Sequence, residues 1–503
     1  MSTLRAEEKT FRLVLAASLF LILIGSRAAL IGFAGSPAPY MDEWDGDWDQ
    51  VIRPYLDGTL RLDALTAPFM EHRILFTRLL VLALFHLAGH WDVVLQMIVN
   101  AILGSAVLIL AAFALSRVLS GGWALAAVLA IALANVAPIA YDNVLLGFNT
   151  HFYLLPALSL LALWLMASSP AWSARWTAGA LVGAASLFSL ASGALTLAAV
   201  ALTHLLQMAC RRRTGASEAL GVAALFVATG LILGFVPHVP ASDAFRARSF
   251  GEFASAVRIL VEWPAGGVLG WLLPLPSALF CLKTLADRPG VKDARWFNVA
   301  ALVWVCAEIA ALAAGRGQAV PQSRYFDTLL LGLAIHLVSA LWIAETKTLG
   351  RTRRSAATFA LAAWVAFAGV SLLRAERHLP REIEAFRERV ESGGGIVRLY
   401  LETGEADLLS GRPGVNLPYI DGGRLRAYLS APEARAGLPP ELLSNDTPPT
   451  RVEALKQAFL ALAPAWIGLG AGMILSALIW RRLPQEWPRA ASPAIQGSRR
   501  APA

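Results

Sequence analysis

Long apolar runs recur along this chain, each bounded by a short polar or basic stretch. A helix rises about 1.5 Å per residue and must cover about 30 Å of hydrocarbon, so a run of roughly 20 residues reads as one crossing. On that measure residues 11–34, 92–115, 123–140, 151–168, 220–236, 263–282, 297–314, 328–344, 357–373 and 455–480 each read as a crossing. The run 176–208 is too long for one span and is expected to break at 189–193. The run 74–88 is different: with about 15 residues, among them Arg78 and His86, it fits a surface helix better than a span. The pattern predicts an all-α, polytopic helical membrane protein of about twelve spans with outer surface helices.

Basic residues set the expected orientation. If 74–88 stays on the surface, Arg5, Lys9 and Arg12 share a side with Arg117, Arg175, Arg211-Arg212-Arg213, Lys283, Arg288, Lys292, Arg295, Lys347 and Arg481-Arg482. The positive-inside rule makes that side cytoplasmic, and both ends of the chain with it. If 74–88 crossed, every later basic cluster would be inverted. Three regions follow: a core, 1–373, with an acidic outer loop at 36–73 and the surface helix 74–88; a polar outer segment, 374–453, which caps the outer mouth; and 454–503, the last span and a cytoplasmic tail.

Composition agrees. Of 503 residues 57% are hydrophobic and 16% charged, and the mean hydropathy is +0.57, too apolar for a soluble enzyme of this length. The net charge of +8 sits in short clusters between apolar runs, which points to the lipid bilayer and away from nucleic acid. Cys210, Cys281 and Cys306 have no metal-type spacing and imply no disulfide framework. No small-residue cleavage site follows a short apolar core, so the first run is expected to be a retained span.

The candidate chemistry centres on Met41-Asp42-Glu43-Trp44-Asp45-Gly46-Asp47-Trp48-Asp49, just after the first span. Acids this close repel one another and need water, cations or basic partners. Asp42 and Glu43, at the membrane boundary, can take a proton from an acceptor hydroxyl. Asp45 and Asp47 could hold a divalent cation (Mg or Mn), since hard oxygen ligands suit those ions. Trp44 beside these acids suits a sugar or lipid headgroup. Glu71-His72-Arg73 supplies a cationic counterpart. Arg73 and Arg324 each precede an apolar segment, where an Arg can grip a phosphodiester or anchor at the interface. Arg316 and Arg324-Tyr325 make a small outer basic patch. Asn143 and Asn149, in a second polar outer loop, can read hydroxyls or cap helices. Glu308 lies within a span and is functional or a structural hydrogen bonder. Gly468-Leu469-Gly470-Ala471-Gly472 imitates a nucleotide loop but lies in the last span, where close helix packing explains it better.

These features resemble the GT-C superfamily of polyprenyl-phosphate-dependent membrane glycosyltransferases. The order is similar: one span, an outer loop opening on an acidic pair (Asp42-Glu43), then a basic motif leading a surface helix. The chain is closer still to an uncharacterised bacterial branch carrying Asp42-Glu43-Trp44, Glu71-His72-Arg73, the Asn143 to Phe148 loop, Ser323-Arg324-Tyr325 and Tyr400-Leu401-Glu402-Thr403-Gly404. Asn149 stands where that branch often has Gln. The Lys-Pro-Pro pattern of the aminoarabinose and O-mannosyl branch is absent, so no substrate carries over from it. The resemblance implies a polyprenyl-phosphate-linked sugar as donor, a glycan, lipid or protein acceptor, and a bacterial inner membrane with the site facing the periplasm or the exterior. It implies Asp42 as base with Glu43 second, and Arg73 and Arg324 on the phosphate. A transporter or flippase of lipid-linked sugars would use the same charges without chemistry.

Overall fold

A computed structural model describes residues 2–318, 320–346, 351–411, 416–443 and 450–482; the expected tail lies outside them. The main helices are α1 (Ser2–Ala34), α2 (Leu75–Ala88), α3 (Val93–Leu115), α4 (Gly121–Ala134), α5 (Thr150–Met166), α6 (Ala174–Ala185), α7 (Leu195–Ala209), α8 (Ala216–Gly234), α9 (Phe250–Glu262), α10 (Leu275–Asp287), α11 (Arg295–Arg316), α12 (Phe326–Glu345), α13 (Arg351–Glu376), α14 (Leu379–Thr403), α15 (Gly422–Ser430), α16 (Arg451–Ala461) and α17 (Ala463–Arg482). Local signals place their ends. Gly89 closes α2 with φ +79°, and Asp92 caps α3 by accepting the Leu95 N–H at 2.9 Å. The other described residues are turns, loops and short α, 3₁₀ or π pieces, with one isolated bridge between Phe69 and His72.

This is a polytopic helical membrane protein. Among the described residues nine helices are long and apolar enough to cross a bilayer, or ten if α16 and α17, bent by 53°, count as one. Exposed leucines such as Leu110, Leu133, Leu181 and Leu231 give these helices an apolar outer surface. Two expected crossings are shorter than the pattern implied. Helix α4 has 14 residues and α6 has 12, about 21 and 18 Å at the helical rise. The break expected at 189–193 is present: two 3₁₀ turns, Ser186–Phe188 and Ala191–Ala194, separate α6 from α7.

Polar contacts sort the connecting segments into two groups, one at each end of the bundle. At one end the Ala191 N–H donates to His72 Nδ1 (3.2 Å), Ser242 Oγ to Glu71 (2.7 Å), Arg73 to the Phe235 carbonyl (3.3 Å), and the Asp142 N–H to Ser323 Oγ (3.1 Å). At the other, Ser120 meets Glu345, Arg213 pairs with Glu218 at 2.8 Å and donates to the Ala167 carbonyl, and Arg212 donates to the Arg288 carbonyl. The short helices α4 and α6 each join one end to the other.

The core follows the same division. Leu19, Leu23, Leu115, Val128, Leu163, Leu197, Trp304 and Val338 fill the middle of the bundle. A second cluster lies at the Asp42 end, where Trp44, Trp48, Trp91 and Val93 pack with Ile383, Phe386, Val397, Leu425 and Tyr428. The outer segment therefore shares one core with the acidic loop. Helices α1 and α17 meet through glycines. A Cβ on Gly25 would lie 2.6 Å from Ile467 Cγ1, and one on Gly470 2.5 Å from the Ser18 carbonyl oxygen. Close packing is thus the role of Gly470 in the nucleotide-like motif; Gly468 and Gly472 line an apolar groove of about 610 Å³ with Phe11 and Val14, far from the acidic loop.

Candidate functional site

The acidic run folds as one helical stretch, and residues Trp44–Ile52 take π geometry, the wider i→i+5 turn often found at functional sites. That winding sends the acids to different partners. Asp45 accepts from Tyr419 Oη (2.7 Å), Tyr428 Oη (3.0 Å) and Arg424 Nη2 (2.8 Å), all from the outer segment. Asp49 accepts from Arg53 at 2.6 Å and lies 3.8 Å from the same Arg424. Asp47 points inward and accepts from Gln96 Nε2 at 3.1 Å; burial pushes its carboxyl up to about 7. Glu43 is buried and accepts the backbone N–H groups of Tyr40 (2.7 Å) and Phe148 (3.4 Å). Burial pushes it up to about 8.

Only Asp42 of the five stands at the open mouth. Its side chain is 50% exposed and its Oδ2 lies 3.7 Å from Arg324 Nη1. Burial by the protein on one side raises its pKa, against the pull of Arg324; the exposed half limits that shift through solvent screening. The turn carrying Arg324 is fixed from below. Asn143 Nδ2 donates to the Arg324 carbonyl (2.9 Å) and to Asp327 Oδ2 (2.8 Å), while Asn149 Nδ2 donates to the Asp142 carbonyl (3.0 Å). Asn100 ties the Gly147–Asn149 turn to α3 by donating to the Gly147 carbonyl at 2.9 Å.

A second charged group lies beside the first. Arg316 pairs with Glu71, which also accepts from Ser242; Tyr325 lies next to both. His72 lies 3.7 Å from Glu71, and its ring centroid is 6.5 Å from that of His151. Burial drives His72 down to about 4, so it is neutral at pH 7 despite Glu71. Of the expected site residues, Asp42, Glu71, His72, Arg316, Arg324 and Tyr325 come together at this mouth, with Asn143 and Asn149 supporting them.

Four expectations are corrected. Trp44 is fully buried, donates to the Pro39 carbonyl at 2.9 Å and packs against Trp91 and Tyr428, so it is core and offers no face to a substrate. Arg73 donates to the carbonyls of Thr66 (2.7 Å) and Phe235 (3.3 Å), so it fastens loops. Glu43, buried against backbone donors, holds the turn and cannot reach an acceptor. Asp45 and Asp47 do not fit a divalent cation: Asp45 already has a guanidinium and two hydroxyls, and Asp47 faces Gln96. Among the described residues the one metal-like trio is His90, Asp92 and Glu453, and the Lys456 ammonium sits there, 2.8 Å from both acids.

Two features here carry no local signal in the chain. Arg78, fully buried, donates to the carbonyls of Ala64, Leu65 and Ala67 and to Gln50, tying the loop before Glu71 to the acidic helix. Tyr419, Tyr428 and Arg424 hold Asp45 from 374 or more positions away. No family model matches the chain, and no curated protein or solved structure compared with it does either.

Proposed function

We propose that this protein is a GT-C-like membrane glycosyltransferase that moves a sugar from a polyprenyl-phosphate donor to a hydroxyl on a glycan, lipid or protein. The observation that carries this reading is the Asp42–Arg324 pair: one half-exposed carboxylate beside one guanidinium, immediately after the first span. A polyprenyl phosphate is already a good leaving group, so transfer needs no strong general acid. It needs positive charge on the departing phosphate and a base for the acceptor hydroxyl. Arg324 offers its fork to the phosphate oxygens, with Arg316 close behind. Asp42 takes the acceptor proton. The outer segment holds Asp45 and Asp49, and Glu71 is paired with Arg316, which leaves Asp42 as the acid of the loop that faces the open mouth; no metal enters the scheme.

The basic residues gathered at the opposite end support an orientation with the Asp42 end outside the cytoplasm, facing the periplasm or the exterior of a bacterial inner membrane. On this reading α4 and α6 also cross, which restores about twelve spans. Turnover and donor binding should be measured on one purified sample in nanodiscs, with a short-chain prenyl-phosphate hexose as probe. Asp42→Asn should lower transfer by about 10²-fold or more and leave binding intact. Full turnover by that variant sinks Asp42 as base. A wild-type protein that moves the lipid across the bilayer but transfers no sugar is a transporter.

A further inference from the structure

Packing within the chain explains only part of the glycine motif in α17. Gly470 must be glycine, because α1 passes too close for a Cβ. Gly468 and Gly472 turn away from that contact, and a Cβ on either would meet no atom within 4 Å. With Ser476 they recur every four residues, along one face of α17. That face, with Phe11 and Val14 of α1, walls the apolar groove of about 610 Å³. The groove is open at the surface of the bundle, and the proposed transfer chemistry does not use it.

Helix lengths fix its depth in the membrane. Gly25, which meets Ile467, lies nine residues before Ala34, the Asp42 end of α1. That is about 14 Å at the helical rise, near the middle of a hydrocarbon core about 30 Å thick. From Gly468 to Ala477 the groove runs nine residues further, again about 14 Å. It therefore covers the leaflet opposite Asp42 and stops at the midplane. Its far end meets the basic ends of both helices. Arg5, Lys9 and Arg12 lie on α1 there, and α17 ends in Arg481-Arg482; against them stand Glu7 and Glu8, so five basic and two acidic residues leave a net charge of +3. Lys9 and Arg12 are exposed, and Arg12 pairs with Glu8 at 2.9 Å.

We propose that this groove holds one acyl chain of an anionic phospholipid, with the headgroup at the basic end of α1 and α17, and that the bound lipid seals the seam between the two helices. An acyl chain ends at the midplane, as the groove does, whereas a partner helix would need a face that runs the whole thickness of the core. Charge selects among occupants as well. A second copy of this chain, paired about a two-fold axis, would bring its own basic cluster against this one. An anionic headgroup neutralises the cluster instead, as basic pockets between membrane helices do for such lipids. The proposal rests on the membrane class of the fold and is independent of the glycosyltransferase reading.

The test follows the purified, delipidated full chain by native mass spectrometry, with phosphatidylglycerol and phosphatidylcholine of equal chain length as probes. The wild type should bind one phosphatidylglycerol about tenfold or more tighter than phosphatidylcholine. Gly472→Leu fills the groove at a position where the new side chain starts in open space, so the fold is kept; its affinity for that one lipid should fall about tenfold or more. Gly468→Leu, the same change one turn away, should act alike and guards against a local fault at one site. Lys9→Gln combined with Arg12→Gln should still bind one lipid but without the anionic preference. A wild type with no preference for phosphatidylglycerol overturns the proposal, as do leucine variants that both keep it. A double variant that keeps the preference overturns the placement of the headgroup. A wild-type dimer that Gly472→Leu dissolves makes the groove an interface between copies and overturns the lipid.

Discussion

Arg78→Met should loosen the outer loop while leaving the bundle folded. The wild-type side chain is fully buried, and its Nη1 reaches the carbonyl oxygens of Ala64 (2.8 Å), Leu65 (3.1 Å) and Ala67 (2.6 Å), while Nη2 reaches Gln50. Burial lowers the guanidinium to about 10, so it is still charged at neutral pH and its bonds are charge-assisted. Methionine fills most of the stem volume but donates nothing. The three carbonyls belong to half-buried residues that water can partly reach, so each lost bond is taken at the low end, about 1 kcal/mol, and the four together cost about 3–4 kcal/mol. All of these bonds tie residues 50–67 to α2, so the cost falls on that loop. Its local opening should rise by about 10²–10³-fold, read by amide hydrogen exchange over residues 57–70 in nanodiscs. Exchange there within threefold of wild type would refute the account of Arg78 as the loop's fastener. Arg78→Lys should fall between the two, since an ammonium can reach carbonyls but lacks the fork that spans to Gln50.

Further outcomes are expected. Burial raises Asp47 from 3.8 to about 7, so the folded protein keeps it protonated while the unfolded chain ionises it; stability should be greatest below pH 4, fall as pH rises toward 7 and then level off, and Asp47→Asn should flatten that part of a thermal-melt profile. A melt that rises over pH 4–7 with a slope Asp47→Asn does not change would contradict this. Lys456→Met leaves Asp92 and Glu453 unpaired in a buried site and should destabilise by about 3–5 kcal/mol, with Asp92→Asn in the same chain restoring part of it in melting experiments. In a chain lacking Cys210, Cys281 and Cys306, a membrane-impermeant thiol reagent applied to intact cells should label Leu62→Cys, 86% exposed at the Asp42 end, and spare Arg212→Cys; the opposite result inverts the orientation.

The membrane class, the alternation of the loops between two ends and the break at 189–193 were all legible in the chain, because they depend on run length and on where charges interrupt it. So was the company of Asp42, Glu71, His72, Arg316 and Arg324, since each lies at the same end of a run. Direction within a loop was not. Nothing local distinguishes Asp42 from Asp45, Asp47 or Glu43; the π winding and partners in α3 and the outer segment make the difference. Trp44 looked like a ring awaiting a ligand because the Trp91 and Tyr428 rings that cover it are remote in sequence. Arg73 and Arg78 carry the same group five residues apart; one reaches Thr66 and Phe235 and the other reaches Gln50, and only the folded loop decides which carbonyls wait within range.

The pairing of α1 with α17 bears on how the protein is made. Gly25 and Gly470 admit each other's helices so closely that no other side chain fits, yet more than four hundred residues of synthesis separate them. Until α17 arrives, α1 must sit in lipid with that face uncovered, and the neighbouring Lys456 has not yet reached Asp92. Closure of the bundle by α17 and the pairing of Lys456 with Asp92 are therefore late events of assembly. A ribosome that stalls before residue 451 would release a chain that carries the acidic loop and its outer-segment partners but whose first helix lacks its partner, and a membrane protease would tell finished molecules from unfinished ones by the exposed glycine face of that helix.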